Sequence, residues 1–150
     1  MQWVTRKQIR VNRVATAWLI RRFIDPHAEF IFVEPDQVAE VQSRQGAKGF
    51  DAPGATYPYK DEKGRCSFEA LVDDYCANDL VLRKIARIVR GADFPDEADL
   101  TEESAGIRMI SQGFPLVTQD DHDTVEKASF LYDALYAALQ QEFKIKQSEA

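Results

Sequence analysis

The chain has 150 residues, 45% apolar and 29% charged, with a net charge of −6; these values suit one globular domain around one core and argue against a second independent domain. Its apolar runs are broken by arginines well before the ~20 residues of a membrane-spanning helix, so a soluble, cytoplasmic protein with no membrane partner is expected. Cys66 and Cys76 match neither a zinc spacing nor a disulfide framework, in keeping with a reducing compartment.

Trp3 to Thr5 suit a first strand. Val11 to Ile24 carries apolar residues around most of a helical axis, the pattern of a buried helix rather than an amphipathic one. Pro26 ends it, and EFIFV at Glu29 to Val33 is aromatic and β-branched enough for a second strand. Glu34 to Gln45 reads as a polar surface helix with Pro35 in its first turn. Gly46 to Gly64 is a loop rich in Gly, Pro, Asp and Tyr, with room for a short hairpin, of the kind that forms binding or lid elements.

Phe68, Leu71, Val72, Tyr75 and Cys76 share one face of a helix behind Ser67 as N-cap. Asn78 or Asp79 caps the next helix, Leu80 to Arg90, with Gly91 as its C-terminal stop. Asp93 to Glu103, with six acids and no bases, reads as an acidic linker loop. Asp99 and Glu102 bracket a capping box for a helix to about Gln112, ended by Gly113 and Pro115. A last helix begins near Asp120 to Asp123 and runs to Phe143, giving a domain over 1–143 and a polar tail over 144–150. The sum is an α+β fold, mainly helical, with five or six helices and a small sheet of a few short strands.

Charge is uneven. Residues 1–25 hold six basic side chains, Arg6, Lys7, Arg10, Arg13, Arg21 and Arg22, against Asp25 alone, an asymmetry that can mark an anion site or simply the complement of an acidic remainder. Arg13, Arg21 and Arg22 interrupt the otherwise apolar first helix. A guanidinium taken from water must snorkel, meet a carboxylate or meet an anionic ligand.

Cys66 follows Arg65 at a helix start, with Lys63 nearby, an electropositive setting that lowers a thiol pKa and makes it the redox candidate of the two cysteines. His122, flanked by acids, could join Asp51 and Glu69 around a divalent metal ion, the one cofactor the composition suggests. Acids at a helix start are equally accounted for by capping and the helix dipole. Arg83, Arg87 and Arg90 share a helix side, but the acidic balance argues for a solvated or internally paired face rather than nucleic-acid binding by this domain alone. No phosphate-binding Gly-rich loop, nucleophile elbow or HExxH is present.

Taken in order, VNRVATAWLIRRFIDPHAEFIFV, GFDAPG, GRCSFEALVDDY, LVLRKIARIVRGAD, SAGIRMISQGF and DDH followed by LYDALYA resemble the C-terminal domain of the chromate-resistance protein ChrB and its stand-alone relatives, from about Trp3 to Ala138. The resemblance implies a bacterial origin and a link to chromate resistance, in which ChrB is a chromate-responsive regulator. In longer members a separate N-terminal region is the DNA-binding part, so a sensing or ligand-binding domain is what carries over. Two departures matter: Asn12 stands where the family typically has Asp, and Tyr59, Lys60 and Asp61 stand where it has a histidine. If that histidine is a metal ligand in relatives, metal binding here is weakened or altered.

The expectation is a ligand-binding or sensing domain, more a binder than an enzyme, in which Arg13, Arg21 and Arg22, with Cys66, define a site for a small oxyanion such as chromate. The rival is a small enzyme, metal-dependent through Asp51, Glu69 and His122 or thiol-dependent through Cys66. Homodimerisation is open on either reading.

Overall fold

A computed structural model describes residues 1–149. Strands β1 (Gln2–Arg6), β2 (Glu29–Val33) and β3 (Lys48–Gly49) form a parallel sheet in the order β2-β1-β3. β1 pairs with β2 from Gln2↔Glu29 to Arg6↔Val33, and with β3 through Trp3↔Lys48 and Val4↔Gly49. Strand alternation sends Trp3 and Phe30 into the main core, and Val4, Ile31 and Val33 to the opposite face.

Helix α1 (Val11–Leu19), extended by a π-turn over Ile20–Ile24, links β1 to β2 on the main-core face. Helix α2 (Val38–Gln45), entered through a 3-10 turn at Pro35–Gln37, links β2 to β3 and seals the other face with Val38 and Val41. Helices α3 (Ser67–Tyr75), α4 (Leu80–Asp93), α5 (Ser104–Val117) and α6 (Asp121–Glu149) gather around α1, every residue of which is buried except half-buried Arg13. The α+β, mainly helical reading stands. No helix among the described residues is long and apolar enough to cross a membrane.

This topology positions the site. The chain leaves β1, returns to one side of it as β2, then crosses the other face to return on the far side as β3. In open parallel sheets such a reversal opens a crevice at the carboxyl ends of the strands.

Several local expectations are corrected. Gly46–Gly64 contains no hairpin: it contributes β3, parallel to β1, and then a single parallel bridge between Phe50 and Tyr57. Gln42 of α2 fastens this loop, donating to the Gly54 carbonyl at 2.9 Å and accepting from Thr56 N at 2.8 Å. Cys66, not Ser67, is the N-cap of α3, with Glu69 accepting from the Cys66 N–H at 3.0 Å.

Helix α4 does not stop at Gly91 but continues to Asp93. The glycine serves close approach: a Cβ there would collide with Ser104 Oγ and lie 3.0 Å from the Glu97 carbonyl oxygen. Helix α5 runs through Gly113 and Pro115, and its start is held by Thr101 Oγ1, which accepts from Ser104 N at 3.1 Å, rather than by an Asp99–Glu102 box. Helix α6 continues past Phe143 to Glu149.

Candidate functional site

At the carboxyl ends of β1 and β3, two arginines meet one buried aspartate. Arg6 closes β1, and Asp51 follows β3 with a left-handed φ of 50°. That strained turn is held by Asp51 N donating to the Tyr57 carbonyl at 2.7 Å and by Arg6 Nε donating to the Asp51 carbonyl at 2.8 Å. Both guanidinium contacts to the carboxylate are long: Arg6 Nη2 to Oδ1 at 3.5 Å and Arg13 Nη1 to Oδ2 at 3.4 Å.

Arg13 also donates from Nη2 to the Gln8 carbonyl at 3.0 Å. Gln8 itself has φ 60° and is pinned from the far end of the chain, because the Asp121 carboxylate accepts from Gln8 N and Ile9 N at 2.9 Å each. The buried Nε of Arg13 has no hydrogen-bond partner among the described residues. Burial lowers the pKa of this guanidinium, the pull of Asp51 opposing it and the repulsion of Arg6 adding to it.

Asp93, the last residue of α4, faces the same charges. Its Oδ2 is buried and without a partner among the described residues. Burial, reinforced by Asp51 and opposed by Arg13, Arg6 and Arg108, pushes its carboxyl up to about 6. Burial also raises Asp51 despite the two arginines. The buried Tyr132 hydroxyl likewise has no well-formed hydrogen bond among the described residues, and burial raises its pKa. Two guanidinium groups and two carboxylates of raised pKa thus share one largely buried cluster in which Arg13 Nε and Asp93 Oδ2 have unfilled hydrogen-bonding positions, the kind of arrangement that marks candidate polar-ligand sites.

The other expected site residues lie elsewhere. Arg21 sits over the Phe30 ring, 4.8 Å from its centroid, with a 3.4 Å contact to the Ala28 carbonyl. Arg22 makes a forked pair with Asp133 at 3.0 and 2.9 Å, and Trp18 Nε1 donates to the same carboxylate at 2.8 Å. Three arginines of one helix thus have three different partners.

Cys66 is fully buried. Arg65, expected to activate it, turns instead to Asp61 and Asp73, at 2.8 Å each. Burial and the neighbouring Glu69 push the thiol up, the reverse of the electropositive setting read from the sequence. Asp51, Glu69 and His122 are not gathered, and no group of three metal-ligating side chains exists among the described residues. Glu69 is paired with Arg90 at 2.8 Å, and the exposed His122 stands edge-on to Phe32, ring centroids 4.8 Å apart. Asn12 bonds Ser67 Oγ at 2.9 Å and accepts from Thr16 at 3.0 Å, so Arg13 takes its carboxylate from Asp51 instead.

Sequence reasoning passed over Arg6 and Asp93 as site residues. Arg6 was legible as the residue closing the first strand of a β-α-β pattern. Asp93 was hidden in the run of acids that follows it.

The family model described as ChrB, C-terminal domain, matches residues 3–139. The chain belongs to the ChrB C-terminal domain family. It is 33% identical over 136 residues to Protein ChrB of Cupriavidus metallidurans, covering 90% of this chain and 40% of that protein. The chain therefore spans well under half the length of this curated ChrB. No solved structure matches it. The family match takes in Arg6, Arg13, Asp51 and Asp93.

Proposed function

We propose that this ChrB C-terminal domain is a sensing domain that binds a small tetrahedral oxyanion of the chromate or sulfate type at the carboxyl ends of β1 and β3. The carrying observation is Arg13: a guanidinium largely removed from water, held only loosely by Asp51, with a buried Nε that lacks a partner among the described residues. Such a group gains most from an anion that accepts along its fork. In this reading Arg6 and Arg13 supply the charge and Asp51 orients both guanidinium groups. Asp93 is the member whose protonation sets how much negative charge the anion must face. The link to chromate comes from the family, and Cys66 has no part in binding.

Titration calorimetry with chromate, sulfate and phosphate tests this. One-site binding is expected, weakened about tenfold in Arg13→Lys, which keeps the charge and loses the fork. Arg22→Ala should bind like the parent. Absence of heat with all three anions, or an Arg13→Lys variant that binds as well as the parent, would sink the proposal.

A further inference from the structure

Beside Arg6 lies a cavity of about 440 Å³ lined by Ala52, Pro53, Pro58, Tyr59 and Lys60. It falls within the size range of small-molecule sites. A bare tetrahedral anion would leave most of it empty: at ~30 Å³ per water-sized group, four oxygens account for ~120 Å³. Apart from Arg6 and Lys60, its walls are two proline rings, a methyl group and a phenol ring, surfaces suited to an organic group rather than to an inorganic ion.

Those walls are built rather than incidental. The Tyr59 ring, 38% exposed, rests on Phe94 with centroids 5.0 Å apart. Phe94 is in turn covered by Lys60 Nζ at 5.6 Å and by the Arg90 guanidinium at 4.9 Å. The loop behind them is tied to α2 through Gln42 and to β3 by Tyr57 N, which donates to the Gly49 carbonyl at 3.0 Å. Arg6 and Lys60 give the cavity two cationic groups.

We infer that the cavity extends the anion site, so that it also takes an organic anion, an aryl phosphate or sulfate in class, with its acid group on Arg6 and its ring between Pro53 and Pro58 against Tyr59. This rests on the reading that Arg6 and Arg13 hold an anion. A flat ring stacked on a tyrosine already held by Phe94 costs little side-chain ordering.

The test compares phenyl phosphate with inorganic phosphate by calorimetry on the full chain and on Tyr59→Ala and Tyr59→Phe. The expected result is phenyl phosphate binding at least tenfold more tightly to the parent and to Tyr59→Phe. In Tyr59→Ala that advantage should disappear while inorganic phosphate binds as before. Equal binding of the two probes to the parent, or an advantage that survives Tyr59→Ala, overturns the inference and leaves the oxyanion site standing. If neither probe binds, the oxyanion reading falls with it.

Discussion

Arg13→Ala is expected to lower the unfolding free energy by about 3 kcal/mol, and Arg22→Ala by less than about 1 kcal/mol, although each arginine pairs with an aspartate. The difference lies in what each removal leaves behind. The Arg13 and Asp51 side chains are 12% and 3% exposed, so deleting Arg13 strands a buried carboxylate on the single 3.5 Å contact to Arg6. The Arg22 and Asp133 side chains are 43% and 45% exposed, so water takes over when Arg22 is lost. Denaturant unfolding of both variants at neutral pH measures the contrast. Equal losses would mean that the Arg13–Asp51 pair is wetter than its burial indicates. A cycle with Asp51→Ala should show coupling, because either single change strands its partner.

Asp93→Asn should stabilise the domain at neutral pH by roughly 2 kcal/mol and flatten its pH profile. The Asp93 carboxyl rises from its ordinary 3.8 to about 6 on folding. Between those values the folded state binds more protons than the unfolded chain, so this group's contribution to stability falls as pH rises through that window and is level above it. The charges that face it are Asp51, Arg13, Arg6 and Arg108. Asparagine removes the penalty and with it the slope. Binding should follow the same proton: sulfate, dianionic throughout, binds the parent more tightly near pH 5 than near pH 7.5, and Asp93→Asn holds the tighter affinity at both. A parent whose stability and sulfate affinity are both flat across this range would rule out the proton-linked role of Asp93.

The sequence displayed the architecture better than the site. The buried first helix, the EFIFV strand and the capped α4 were readable because periodicity and capping act over a few neighbouring residues. Gly91 misled because its role is set by what packs against it. Gly91 admits Ser104 and the Glu97 carbonyl, and α5 continues through Gly113 and Pro115 to Val117.

The site shows the same division. Arg13 stood out because an arginine on an apolar helix demands a partner; Asp51 suggested a metal ligand with Glu69 and His122, and its pairing with Arg6 and Arg13 depends on the turn after β3. That Arg21 and Arg22 belong elsewhere depends on the π-turn and on Asp133, more than a hundred residues away. Cys66 looked reactive beside Arg65 and Lys63, but neither neighbour in sequence says where Asp61 and Asp73 will draw Arg65. Asp93 emerges only when the end of α4 is brought to the carboxyl edge of the sheet.

The most direct test is to follow the arginine Nε–H resonances of isotopically labelled protein while sulfate is added. The account predicts that the Arg13 resonance moves and saturates with one equivalent bound, Arg6 moving with it, while those of Arg21 and Arg22 stay in place. An Arg13 resonance that does not move while another arginine follows the titration would contradict it.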